Sequence, residues 1–329
     1  MPDSKPTRKL GALSITVLLL CVLLLNAGML TIVHLRYQDS YAAAQVDKIA
    51  LLKNTASPRI IFVGGSNVAF GVDSAMVQAT TGYHVINMGL NGNLGLRYML
   101  SVVQAYVQPG DLVVIMPEYQ QFLNDNDNLG ATFVQMLIAN PELVKYLSSP
   151  NEIVAIAQLF PYVYTQAFKS IIRDIQQRDC IFCPNDEQIY YRAAFNAYGD
   201  VISHEKIHPT REIGYLYLSY TEDNPNIHKA TQVINQFVQE TAQQQVITLM
   251  LYPATPFPSE NTLRVLEELE QELNSQLSID MVGSLQDAWY SRALFFDTCY
   301  HLIPAGRELN TERILELISP YLEPISTKE

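Results

Sequence analysis

One serine, one aspartate and one histidine carry the chemistry this sequence could do. Gly64, Gly65, Ser66 and Asn67 follow the apolar run Arg59-Ile60-Ile61-Phe62-Val63. A β-branched run that ends in two glycines and a serine reads as a buried strand breaking into a tight turn. Asp73, with Ala75, Met76 and Val77 behind it, reads as the N-cap of the next helix. Open α/β sheets keep their ligand crevice at the carboxyl ends of their strands. There the Ser66 hydroxyl would stand among free backbone N–H groups, as a nucleophile with an oxyanion hole requires. The same residues also read more plainly, as a glycine turn with Ser66 capping a helix.

The other end of the chain bears on that choice. Asp297 and His301 stand just ahead of a helix expected over 304–318, with Pro304 in its first turn. A histidine at a helix entrance with a carboxylate nearby has what a general base needs, a basic nitrogen and an orienting partner. The chain order is then Ser, Asp, His.

That combination resembles the SGNH (GDSL-type) hydrolase superfamily. More narrowly, it is similar to the membrane-anchored SGNH-like proteins of bacterial envelope acylation, of the alginate O-acetylation and lipoteichoic-acid D-alanylation type. The resemblance spans roughly residues 59–118 and 246–318. It implies Ser66 as nucleophile, His301 as base and Asp297 as the acid that orients it. The stretch from Asn87 to Gly95 stands where the family has its second block. Gly89 would supply an oxyanion N–H there beside Gly65, and Asn91 a side-chain donor. The first block reads Gly-Gly-Ser-Asn in place of Gly-Asp-Ser-Leu. The third, Gly-x-Asn-Asp, is replaced by Met116-Pro117-Glu118-Tyr119, and Asp297 lies four residues before the histidine where the family has three.

The implied fold is α/β, a three-layer, mainly parallel, flavodoxin-like sheet with helices on both faces. The implied activity moves an acyl group, acetyl foremost, to an envelope polysaccharide through a serine ester, with no cofactor. A membrane-bound O-acyltransferase would be the partner that delivers the acyl group. An esterase using the same residues, or an inactive glycan-binding or scaffold subunit, are the alternatives.

Composition bounds these readings. The chain has 329 residues and a formal net charge of −12, which argues against nucleic acid, since neutralising phosphates needs clustered Lys and Arg. No HExxH, Walker-type loop, zinc-spaced Cys/His set or G-x-G-x-x-G fingerprint is present. His204 and His208 are four apart, but Pro209 interrupts a helix there and two ligands do not close a metal site.

Residues 10–35 are almost wholly apolar and carry no Asp, Glu, Lys or Arg, long enough to cross a bilayer. Lys5, Arg8 and Lys9 precede them, so the positive-inside rule puts residues 1–9 in the cytoplasm and the rest outside. The run is long for a signal peptide and lacks a small-x-small cleavage site. The expectation is a retained single-pass anchor in the bacterial inner membrane with an extracytoplasmic or periplasmic domain.

A stalk is expected over 36–58, and then alternating strands and helices over 59–123 and 225–322, the mark of βαβ units and a parallel sheet. Between them, 124–224 reads as a mostly helical insertion with helices near 131–138 and 152–177. It leaves the third strand on the face of Ser66, so it would form a lid or one wall of an acceptor groove, or else decorate the core elsewhere. Glu118 should reach the crevice rim, to hold substrate, position Arg97 or cap the next segment. Cys180 and Cys183 would form a local disulfide or stay free, and Cys299 reads as a packed thiol in the loop of the base.

Overall fold

The computed structural model describes residues 6–124, 129–147, 149–177, 189–209 and 212–322; Cys180 and Cys183 lie outside them. The chain starts with a long helix, α1 (Pro6–Tyr37), then a 3₁₀ turn and α2 (Ala44–Asn54). There follow β1 (Arg59–Gly64), α3 (Ser66–Gly71), α4 (Ser74–Thr81), β2 (His84–Asn87), α5 (Leu96–Gln104) and β3 (Leu112–Met116). The intervening segment holds α6 (Gln120–Leu123), α7 (Ala131–Ala139) and α8 (Pro150–Gln177). The chain returns through α9 (Pro225–Ala242), β4 (Ile247–Leu251), β5 (Thr255–Pro256) and α10 (Glu260–Gln276), and closes with β6 (Met281–Val282), β7 (Trp289–Tyr290) and α11 (Pro304–Ile318).

The main sheet is parallel throughout, in the order β2-β1-β3-β4-β6; β5 and β7 form a separate parallel pair. The β1 strand is buried along its whole length, as expected of a parallel strand covered on both faces. Its side chains alternate between two cores. Ile60 and Phe62 join Val77 of α4 and Ile314 of α11. Ile61 and Val63 join Leu100 of α5, Ile234 of α9 and Leu266 of α10. The period of two in a strand thus puts helices against both faces. Each such buried side chain contributes about 1.5–3 kcal/mol relative to exposure.

Local signals in the sequence match local geometry. Asp73 caps α4 by accepting from the Met76 N–H at 3.0 Å, and Pro304 opens α11. The expected helix after Gly71 is α4, but the structure adds α3, one short helix that begins at Ser66 itself. Arg59 is fully buried at the start of β1, where it pairs with Asp111 and donates to the carbonyls of Leu52, Thr55 and Tyr106. This ties α2 and β3 to the first strand.

Candidate active site

The chain runs β1, β2, then back across to β3, so the strand order reverses between β1 and β3. At such a point the loops leave in opposite directions and open a crevice beyond the carboxyl ends. Register pairs Gly64 with Met116 there. Ser66 and Glu118, two residues further along each strand exit, therefore meet. The Ser66 hydroxyl donates to Glu118 Oε1 at 3.1 Å, and the Asn67 N–H donates to the same oxygen at 3.3 Å.

Two glycines make room for that carboxylate. A Cβ on Gly65 would stand 2.3 Å from Glu118 Oε1, and one on Gly92 2.3 Å from Glu118 Oε2. Burial pushes the Glu118 carboxyl above the ordinary carboxylate value, against the pull of the Asn67 N–H, the His301 charge and the Ser66 hydroxyl. Arg97 pairs with Glu152 of α8.

The histidine packs against the helix that Ser66 opens, through Phe70. Asp297 Oδ1 and His301 Nδ1 are 2.7 Å apart, so a separation of four residues still closes the pair. Tyr190 donates its hydroxyl to the second Asp297 oxygen and lies 3.2 Å from His301 Nδ1. Burial alone would raise the Asp297 carboxyl, but the hydrogen bond and charge of His301, with the Tyr190 hydroxyl, hold it below the ordinary value. His301 is buried and stacks on Phe70. Phe70 is one helical turn beyond Ser66, and residues four apart share a helix face.

The second-block residues are engaged otherwise than expected. The Gly89 N–H donates to Asn87 Oδ1 at 2.9 Å, and a Cβ there would meet Ala69 N at 2.5 Å. In this conformation Gly89 lets the β2 exit lie against α3; its N–H is not free for an oxyanion. Asn91 accepts from the Asn93 N–H at 2.9 Å and caps a 3₁₀ turn.

Sequence reading missed three contributors. Tyr190 comes from the segment between α8 and α9. Tyr41, just past α1, crosses Tyr190 edge-on at 5.5 Å and donates to the Leu90 carbonyl. Asp200 accepts from Ser74 and Asn87 and is buried beneath α3. The Asn196–Asp200 turn around Gly199, with its positive φ, was the available signal. Tyr41, Asn91 and Tyr190 also line a cavity of about 450 Å³, together with Arg36, Tyr37 and Gln166.

His204 and His208 do not act together. His204 is buried with Nε2 2.9 Å from the Leu302 carbonyl, whereas His208 is exposed. Burial lowers the His204 pKa to about 4. Among the described residues no group of three or more His, Cys, Asp or Glu is placed to hold a metal. The Cys299 thiol points to the Gly214 carbonyl, and burial raises its pKa.

No protein-family model matches the chain, and no curated protein matches it.

Proposed function

We propose that this protein is a membrane-anchored, extracytoplasmic serine acyltransferase of the SGNH-like, flavodoxin-like type, acting on a hydroxyl acceptor of the cell envelope such as a polysaccharide. The observation that carries the reading is that Ser66 meets Glu118 where the strand order reverses, while the Asp297–His301–Tyr190 group is held against the same short helix, α3, by the stacking of His301 on Phe70. The strand order agrees with the doubly wound class in which ligands bind at that crevice. Among the described residues, one helix, covering Ser14–Tyr37, is long and apolar enough to span a bilayer. With basic residues ahead of it, it supports an anchor with the domain outside.

The reaction runs in two halves. Ser66 Oγ turns from Glu118 and attacks an ester or thioester carbonyl, and His301 Nε2 takes its proton. The tetrahedral oxyanion forms at the N-terminus of α3, within reach of the Asn67 N–H. Collapse expels the alcohol or thiol, which leaves with the proton from His301, and a Ser66 ester remains. An acceptor hydroxyl then gives its proton to His301 and attacks the ester, and Ser66 leaves with that proton. Asp297 and Tyr190 keep the imidazole in the tautomer with Nε2 free to accept. Glu118 stands where the family carries an amide. Protonated, it donates a hydrogen bond to the oxyanion in that amide's place.

Intact-mass analysis of the full chain in detergent tests this, after incubation with an activated acyl ester and with a fluorophosphonate. A mass gain in the wild type that is absent in Ser66→Ala and slowed in His301→Ala is the expected result. Absence of any adduct on the folded wild type would overturn it.

One observation favours a second reading, a glycan-binding or scaffold subunit. In the resting geometry Glu118 occupies the N–H of α3 and Asn87 occupies that of Gly89. Glycan binding that survives Ser66→Ala, with no covalent adduct, would select it.

A further inference from the structure

The α8 helix carries apolar side chains on two faces, and only one of them is covered. Val163, Ala167 and Ile171 are buried, the latter two against Val33 of α1. On the neighbouring face Val154, Phe168, Ile172 and Ile175 are 53%, 39%, 37% and 57% exposed. Their spacing follows the helical repeat, so they form one stripe. A stripe of this kind left in water costs free energy.

Its height relative to α1 identifies what covers it. Asp174 pairs with Arg36 at 2.6 Å, and the Tyr37 hydroxyl donates to the Val163 carbonyl. Arg36 and Tyr37 are the first polar residues past the apolar run of α1, so α8 crosses α1 at the end of the span. Leu30 and Leu35 of α1 are themselves 44% and 46% exposed at the same level. Tyr37 and Tyr164 pack together there, as aromatic residues do at a bilayer surface. Lys169 and Arg173 are exposed beside the stripe, where long basic side chains reach head-group phosphates while the helix lies among acyl chains.

We propose that α8 lies in the interface of the lipid bilayer with the Val154–Ile175 stripe among the acyl chains, as a second membrane contact beside α1. This rests on the reading of α1 as a membrane span. Gln166, Ala167 and Ser170 of the same helix line the 450 Å³ cavity together with Arg36 and Tyr37. The contact therefore keeps the cavity, which Tyr41 and Tyr190 also line, at the level of the head groups.

The test uses the full chain reconstituted in vesicles of phosphatidylcholine and phosphatidylglycerol. The single tryptophan, Trp289, is replaced in a Trp289→Phe background that carries Phe168→Trp, Ile172→Trp or, as control, Leu309→Trp on the outer face of α11, where Leu309 is exposed. Lipids brominated on their acyl chains should quench the 168 and 172 probes severalfold more than the 309 probe, and aqueous acrylamide should do the reverse. Equal acrylamide quenching at all positions would overturn the proposal. So would protection of 168 and 172 from both quenchers, which would mean that a second copy or another protein covers the stripe. Alkaline carbonate extraction separates the two readings. Release of the chain overturns the span and the α8 contact together, whereas a retained chain with water-quenched probes overturns the α8 contact alone.

Discussion

Phe70 lies flat on the imidazole of His301, with ring centroids 3.9 Å apart and planes 7° from parallel. The contact joins the helix that opens with Ser66 to the loop that carries His301. Phe70 is fully buried, so its position is set by packing, and it passes that position to the histidine. The proposed nucleophile and base are thus linked through one six-residue helix, although their residues lie far apart in the chain.

Phe70→Leu keeps most of the buried volume while removing the flat surface. It should cost about 1 kcal/mol of stability, as near-conservative core exchanges do. Acylation of Ser66 should fall about ten- to a hundredfold, since small displacements of a reacting group are expensive. Fluorophosphonate labelling rates beside thermal unfolding separate the two effects. Labelling that falls no further than stability would remove the alignment role.

How much of this was legible in the sequence depends on distance along the chain. The β1 run, the Asp73 cap and Pro304 at the start of α11 rest on interactions within a turn or two, and residue types declare those. Ser66 and Glu118 meet only because β1 and β3 are neighbours in register, which no local pattern states. Tyr190 reaches Asp297 across 107 positions, from a segment with no motif of its own. The Gly89 N–H was assigned from a pattern of residues, and the competing acceptor, Asn87 Oδ1, is only two residues away. There the local hydrogen bond took the donor.

Asp297→Asn tests the orienting acid. An amide in that place can donate to His301 Nδ1 and hold the wrong tautomer. The expected loss is about 10³- to 10⁴-fold in turnover, as for the same change in serine triads, with KM little altered. Tyr190→Phe keeps the ring and removes one hydrogen bond to Asp297, so its loss should be smaller, about three- to tenfold. The ratio of the two, read from single-turnover acylation, distinguishes a relay from a packing contact.

Glu118 gives the site a pH dependence. Its pKa is raised by burial, so the carboxyl stays protonated to higher pH than an ordinary glutamate. As pH rises through that pKa the carboxylate forms beside the Asn67 N–H and repels a developing oxyanion. Acylation should decline over that range, and the stability contributed by the neutral group should decline with it, because the folded state holds the proton more tightly. Glu118→Gln keeps a donor at all pH values and should abolish the decline. An unchanged pH profile of the labelling rate would exclude Glu118 as the oxyanion donor.

Gly65 tests the room made for that carboxylate. An alanine Cβ would meet the Glu118 carboxylate and stand 2.8 Å from the Gly92 Cα. Gly65→Ala should cost about 1–3 kcal/mol, as overpacking does. Shortening the second partner as well, in Gly65→Ala with Glu118→Ala, should recover part of this stability without restoring acylation. Full additivity of the two changes in chemical denaturation would mean that they do not compete for the space.

Lys48 should govern stability at neutral to alkaline pH. It is 1% exposed and donates to the carbonyls of Asn87 and Gly199 at 2.8 and 2.5 Å, directly beneath the exit of β2. Burial lowers its pKa from 10.5 to about 7, against the pull of Asp200 and Asp47. Between those values the unfolded chain binds the proton and the folded chain releases it, so stability from this group rises with pH over that window and is flat below it. Lys48→Met removes the titration and leaves two carbonyls without their donor, at a cost of about 1–3 kcal/mol each. The wild type should therefore gain stability over the variant steadily as pH is raised from 7 toward 10.5. Denaturation of both proteins in detergent across that range reads the difference, and parallel curves would show that Lys48 keeps the same charge in both states.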